Sequence, residues 1–155
     1  MAIKIKLNVN GKLHTVEIDA ATPLLYVLRN NLELNGPKYG CGLQQCGSCM
    51  VLMDGKAEPS CMIPASACQQ KKITTLEGLS NSKQLHPVQQ AFVDEQAAQC
   101  GYCLNGMVIN TVALLNQHSN PDDAAIREGL KRSLCRCGTQ MRVLKAVRRV
   151  VGEDL

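Results

Sequence analysis

The stretch GCGLQQCGSC, Gly40 to Cys49, places three cysteines and three glycines in ten positions of a 155-residue chain that has one Phe and no Trp. Glycine at this density keeps the segment from becoming a helix. With Cys61 beyond it, the loop makes the series C-x4-C-x2-C-x11-C over Cys41, Cys46, Cys49 and Cys61. The chain holds nine cysteines, an odd number that cannot pair completely within one chain, and aromatics are only 3% of its residues. The core must therefore come from Leu, Val, Ile, Ala and Met, and the thiols have another use.

Metal ligation is the leading use. Residues 1–13, MAIKIKLNVNGKL, alternate charged and apolar side chains with no continuous apolar run, so neither a signal peptide nor a membrane span is expected there. A cytoplasmic, reducing location follows as an expectation, which disfavours a disulfide framework; export while bound to a partner stays open. Net charge is +4 with both signs mixed along most of the chain, so no nucleic-acid partner and no direct membrane insertion are expected.

The x4-x2 run is the spacing of plant-type 2Fe-2S sites, in which thiolates on one loop and a more distant fourth hold the cluster. Gly40, Gly42 and Gly47 let the chain turn tightly and leave amide N–H groups free to approach the sulfurs. A second set follows as Cys100-x2-Cys103 and Cys135-x-Cys137. Cys103 is expected in the first turn of a helix, where unpaired N–H groups and the dipole favour thiolate. Cys68 fits neither spacing and reads as a small buried apolar residue. C-x2-C alone reads as zinc as readily as iron, so a zinc-stabilised interaction module is the rival of a different class. No acid, base or nucleophile constellation accompanies the cysteines, and no catalytic residue is expected: His14, His86 and His118 read as surface or boundary residues. Arg142, Lys145, Arg148 and Arg149 read as a solvated helix face.

Outward from the loop, Ile3, Ile5, Leu7 and Val9 alternate with polar residues as in a half-buried strand, and Asn10-Gly11 predicts a hairpin to a second strand carrying Val16 and Ile18. Thr22 as N-cap and Pro23 at the first helical position open a helix with Leu24, Leu25, Val27, Leu28 and Leu32. Residues 50–53 and 56–59 flank Asp54-Gly55 as another hairpin, and Lys72 to Thr75 form a short strand. From Leu76 to Leu85 periodicity is lost, placing a domain junction between 1–76 and 77–155. Beyond it, helical spacing predicts four helices: over 87–98, through Leu104 to Leu115, from Asn120-Pro121 through Leu130, and through Val143 to Val151. The fold class is α+β.

Two four-cysteine sets in this order resemble the small iron-sulfur subunit of the molybdenum hydroxylases, the xanthine dehydrogenase and aldehyde oxidase family. The carrying motifs are GCGLQQCGSCMV (40–51), Cys61, QCGYC (99–103) and CRCGT (135–139). LNGPKYGCG (34–42), ITTLEGL (73–79), HPVQQAF (86–92) and DEQAAQCGYC (94–103) look most similar to small subunits of the nicotinate dehydrogenase type, which serve N-heteroaromatic hydroxylases. The resemblance implies a β-grasp ferredoxin-like domain followed by a four-helix bundle, two 2Fe-2S clusters, and a large molybdopterin-binding partner subunit. It implies that Gln99 and Cys137 touch the pterin cofactor held by that partner. Electrons would run from molybdenum to the bundle cluster, then to the loop cluster, and out to a flavin subunit or a cytochrome c type acceptor. Hydroxylation beside a ring nitrogen is the expected reaction of the complex, with aldehyde oxidation to carboxylate as the alternative.

Overall fold

Both Asx-Gly dipeptides become hairpin turns in the computed structural model, which describes residues 2–81 and 83–152. Asn10 and Gly11, at φ 52° and 76°, join β1 (Ala2–Val9) to β2 (Lys12–Asp19). Asp54 and Gly55, at 52° and 81°, join β3 (Met50–Met53) to β4 (Lys56–Pro59). Two successive left-handed residues give the turn whose twist suits a two-residue hairpin. β5 (Lys72–Thr74) enters between the hairpins, parallel to β1 and antiparallel to β3, for a sheet order β2-β1-β5-β3-β4.

The helix α1 crosses one face of this sheet. Leu24–Tyr26 is α-helical and Val27–Asn31 widens to a π turn, with Leu32 N–H donating to Val27 C=O at 3.1 Å. Leu24, Val27 and Leu28 pack on Ile5, Leu7, Val9, Val51 and Ile73. The expected Thr22 cap is not formed: the helix begins after Pro23 with no side-chain cap. Tertiary partners take its place, since Leu24 N–H donates to Ile63 C=O at 2.8 Å and Leu25 N–H to Ser60 C=O at 3.0 Å. The helix start is thereby tied to the segment that carries Cys61.

Strand β3 is apolar throughout because both of its faces are covered. Val51 belongs to the core under α1, whereas Met50 and Leu52 belong to the core of the helical half. That half comprises a single turn α2 (Leu76–Leu79), then α3 (Pro87–Asp94), α4 (Leu104–Gln117), α5 (Asp123–Leu130) and α6 (Gln140–Val151). Val88, Phe92, Met107, Val108, Val112, Ile126, Val143 and Val147 meet in its core.

Two helix boundaries differ from expectation. α3 stops at Asp94 rather than running to residue 98. Gln96 adopts φ 48°, its N–H donates to Val93 C=O, and Ala97 N–H donates to Phe92 C=O at 2.9 Å. This is a Schellman stop built without glycine, so composition carried no sign of it. α5 starts two residues later than Pro121, because Asp122 is its N-cap, the carboxylate accepting from Ala125 N–H at 2.8 Å. The early stop of α3 frees residues 95–103 to form a loop that holds Cys100. Three of the four basic residues of α6 are engaged within the chain: Arg148 pairs with Asp123, Arg149 with Asp94 and Glu95, and Arg142 donates to Gln96 C=O. No described helix is long and apolar enough to cross a membrane.

Candidate metal centres

The loop 40–49 turns its amides onto its own thiols. Leu43, Gln45 and Cys46 N–H groups donate to Cys41 Sγ at 3.3, 3.3 and 3.4 Å, and Cys41 N–H donates to Cys46 Sγ at 3.3 Å. Burial pushes the Cys41 thiol up, but these three amides outweigh it and bring its pKa down to about 7. Three left-handed residues make the curvature: Gly42 at φ 66°, Gln44 at 58° and Gly47 at 78°. Gly40 supplies room, since a Cβ there would stand 2.6 Å from Cys46 Sγ. Cys49 and Cys61 complete the set from the far side, buried together against Leu25. Burial raises the Cys49 thiol to about 11, with Cys61 beside it.

The second set is assembled from the α3–α4 loop and the α5–α6 loop. Cys100 and Cys137 are exposed, Cys103 is half-buried and Cys135 buried. Cys103 is not favoured as thiolate, contrary to expectation. It stands at the N-cap of α4, yet burial and then the neighbouring Cys135 thiol push it up to about 12. Desolvation of a charged sulfur exceeds the benefit of a helix start. Cys135 instead is brought down to about 7: burial raises it, and Thr139, through its hydroxyl at 3.3 Å and its backbone, overcomes that together with Cys103 and the Cys137 backbone. The Tyr102 backbone N–H and the Cys137 thiol lower Cys100.

The thiols therefore meet two by two: Cys41 with Cys46, Cys49 with Cys61, Cys100 with Cys137, and Cys103 with Cys135. Among the described residues no three His, Cys, Asp or Glu side chains are grouped as ligands of one ion. Paired thiols facing inward-pointing amides fit a binuclear cluster, whose two irons take two thiolates each. The two sets are adjacent. Gly40, Cys41, Cys46 and Ser48 line one side of a cleft of about 340 Å³, and Cys100, Cys103 and Cys135 line the other. Leu134 N–H, one residue before Cys135, donates to Cys46 C=O at 3.0 Å, and the Tyr102 hydroxyl donates to Tyr39 C=O.

Sequence reasoning missed the residues that join the sets. Gly106 lies inside α4 where a Cβ would stand 2.1 Å from Gly47 C=O, and an isolated helical glycine was the one available sign of that close approach. Asn105 carried no sign at all, and Thr139 stood out only as the last residue of CRCGT. Cys68 is fully buried in the turn Ala65–Cys68, packed in the sheet core as a small apolar residue, and burial raises its thiol. All nine cysteines are free of disulfides.

Residues 7–76 match the 2Fe-2S iron-sulfur cluster binding domain family, and residues 75–148 match a second family described as a 2Fe-2S binding domain. A nicotinate dehydrogenase subunit of Pseudomonas putida is 55% identical over 149 residues, 96% of this chain and 95% of that protein. The chain belongs to the iron-sulfur subunits of the molybdenum hydroxylase family. The alpha subunit of isoquinoline 1-oxidoreductase of Brevundimonas diminuta is 41% identical over 150 residues, covering 96% of this chain and 98% of the relative. Among solved structures, quinoline 2-oxidoreductase from Pseudomonas putida 86 superposes with a TM-score of 0.92 at 31% identity, over 97% of this chain and 94% of that one. The chain thus carries two 2Fe-2S-binding domains, and its relatives are subunits of oxidoreductases.

Proposed function

We propose that this chain is the electron-transfer subunit of a molybdopterin-dependent hydroxylase, with Cys41, Cys46, Cys49 and Cys61 holding one cluster and Cys100, Cys103, Cys135 and Cys137 the other. The observation that carries the reading is the shared cleft, bridged by the bond from Leu134 N–H to Cys46 C=O, which connects a ligand of one set to the neighbour of a ligand of the other. When bound, each cluster takes up and releases single electrons. The chain's part is to hold the two sets at one spacing, keep Cys49, Cys61 and Cys135 away from water, and aim amides and a threonine hydroxyl at the sulfurs.

The domain boundary we propose, between residues 76 and 77, falls within the single turn α2 (Leu76–Leu79). Gln99 and Cys137 are assigned to the partner's pterin: both are exposed and line one surface depression of about 300 Å³ with Gly138, Thr139 and Arg142. Entry of electrons there and exit at the Cys41 loop orders the relay, toward a flavin subunit or a cytochrome c type acceptor. The reaction of the complex is hydroxylation of an N-heteroaromatic ring, nicotinate-type, on the strength of the similarity to the nicotinate dehydrogenase protein of Pseudomonas putida. The compartment proposed is the cytoplasm.

The purified chain is expected to be brown, to contain about four iron atoms, and to bleach with dithionite. Colourless protein with stoichiometric zinc would sink the reading. In the whole complex, nicotinate should reduce both clusters, and Gln99→Ala should slow that reduction while dithionite reduction is unchanged. Turnover of aldehydes but not of nicotinate would overturn the substrate assignment alone.

A further inference from the structure

The loop 40–49 and the start of β3 are two-faced. Their N–H groups at Cys41, Leu43, Gln45 and Cys46 point at thiols. Their carbonyls at alternate residues point the other way, into the helical half: Gln44 C=O accepts from Arg132 Nη2 at 2.7 Å, and Cys46 C=O accepts from Leu134 N–H at 3.0 Å. Ser48 C=O and Met50 C=O then accept from a single side chain, Asn105 Nδ2, at 3.0 and 2.9 Å. Asn105 therefore grips the backbone immediately before and immediately after the ligand Cys49.

Asn105 is only 1% exposed and its Oδ1 is buried with no hydrogen-bond partner among the described residues. A buried amide with one unmet acceptor costs stability, commonly ~1–3 kcal/mol for an unsatisfied polar group. An apolar residue would avoid that cost but would take the side-chain amide away from Met50 C=O and leave Ser48 C=O to Lys38 N–H alone, at 2.9 Å. The orientation is determined as well, because turning the amide over would set its oxygen against both carbonyls. The residue also lies two positions after Cys103 and one before Gly106, where the backbone of α4 closes on Gly47.

We propose that Asn105 is a positioning residue for the first cluster, although it belongs to the helical half: its amide holds Cys49 in place and sets the spacing of the two ligand sets. This rests on the assignment of Cys49 and Cys103 as cluster ligands. The carbonyl face is the lever. With Met50 C=O released from the amide and Ser48 C=O held only by Lys38 N–H, the chain on either side of Cys49 loses its tie to α4, the loop amides lose their aim at the sulfurs, and the reduced state of the first cluster is stabilised less.

The test compares Asn105→Ala and Asn105→Ser, in which the hydroxyl can replace one bond, with Asn110→Ala as a control. Asn110 is a buried asparagine of the same helix whose amide donates to Ser133 Oγ at 2.9 Å and to neither carbonyl that flanks Cys49. The readouts on the cluster-loaded protein are the midpoint potential of each cluster and the magnetic splitting between the two reduced signals. Asn105→Ala should lower the potential of the first cluster, leave that of the second in place and change the splitting, with Asn105→Ser between it and the native protein. Asn110→Ala should lower thermal stability without moving the first potential. If Asn105→Ala costs stability as Asn110→Ala does but leaves first-cluster potential and splitting unchanged, the positioning role is wrong. If only Asn105→Ser folds, an unshifted first potential in that variant equally overturns the role. Failure of the ligand assignment itself would look different, as an absence of the first signal's dependence on Cys49→Ser.

Discussion

The two thiol sets hold four cysteines each and are built in opposite ways. The first is wound from one glycine-bearing loop, with backbone amides on Cys41 and only Cys61 arriving from elsewhere. The second has no such loop. Two interhelical segments supply a pair each, two of its cysteines remain exposed, and a side-chain hydroxyl from Thr139 does part of what amides do in the first. A site made from contiguous chain is encoded by its spacing, whereas a site made from separated segments exists only once the helices that carry them have packed.

Removing a ligand challenges this contrast most severely. Cys135→Ser should abolish one of two paramagnetic signals and about half the iron, leaving the first signal nearly intact. Loss of both signals from folded protein would show that the sets are not separable. Next in size are two glycine substitutions with the same backbone angle. Gly47 and Gly138 stand at φ 78° and 79°, but a Cβ would meet Arg132 C=O at 2.3 Å from Gly47 and nothing within 4 Å from Gly138. Gly138→Ala should cost about 1–2 kcal/mol from the left-handed conformation alone. Gly47→Ala should cost clearly more in thermal denaturation and weaken the first signal; equal losses would mean that the contact with residue 132 yields freely.

Smaller effects separate amide tuning from side-chain tuning. Thr139→Val removes the hydroxyl 3.3 Å from Cys135 Sγ and should lower the second cluster's potential while the first stays put. The smallest prediction concerns His86, outside both sites, whose Nδ1 accepts from Val88 N–H at 3.2 Å at the start of α3. Burial lowers its pKa below the ordinary 6.5. The unfolded chain therefore binds a proton first as pH falls, so stability decreases from about pH 6.5 downward until the folded pKa is passed, and is pH-independent on this account above the unfolded pKa of about 6.5. His86→Asn keeps an acceptor for the cap and should flatten that slope in urea titrations between about pH 5 and 7, with both cluster signals unaffected.

Much of the architecture was legible in the residues. Asn10-Gly11 and Asp54-Gly55 specified their hairpins because few other dipeptides take two left-handed angles in succession. The cysteine spacing pointed to both sets. What stayed hidden was governed by long-range contact: the Thr22 cap gave way to carbonyls of residues 60 and 63, the end of α3 came from Gln96 in a glycine's conformation, and burial overrode the helix dipole at Cys103.

The order of residues alone was enough to specify the strands, the hairpins and the glycine-bearing turns of the loop 40–49, since each depends on neighbours a few positions away. Packing in three dimensions settled which thiols pair, which are driven up or down in pKa, and how the carbonyl face of one site is gripped by Asn105, Arg132 and Leu134 of the other. Those features depend on desolvation and on hydrogen bonds between residues more than fifty apart along the chain, and no local pattern records them.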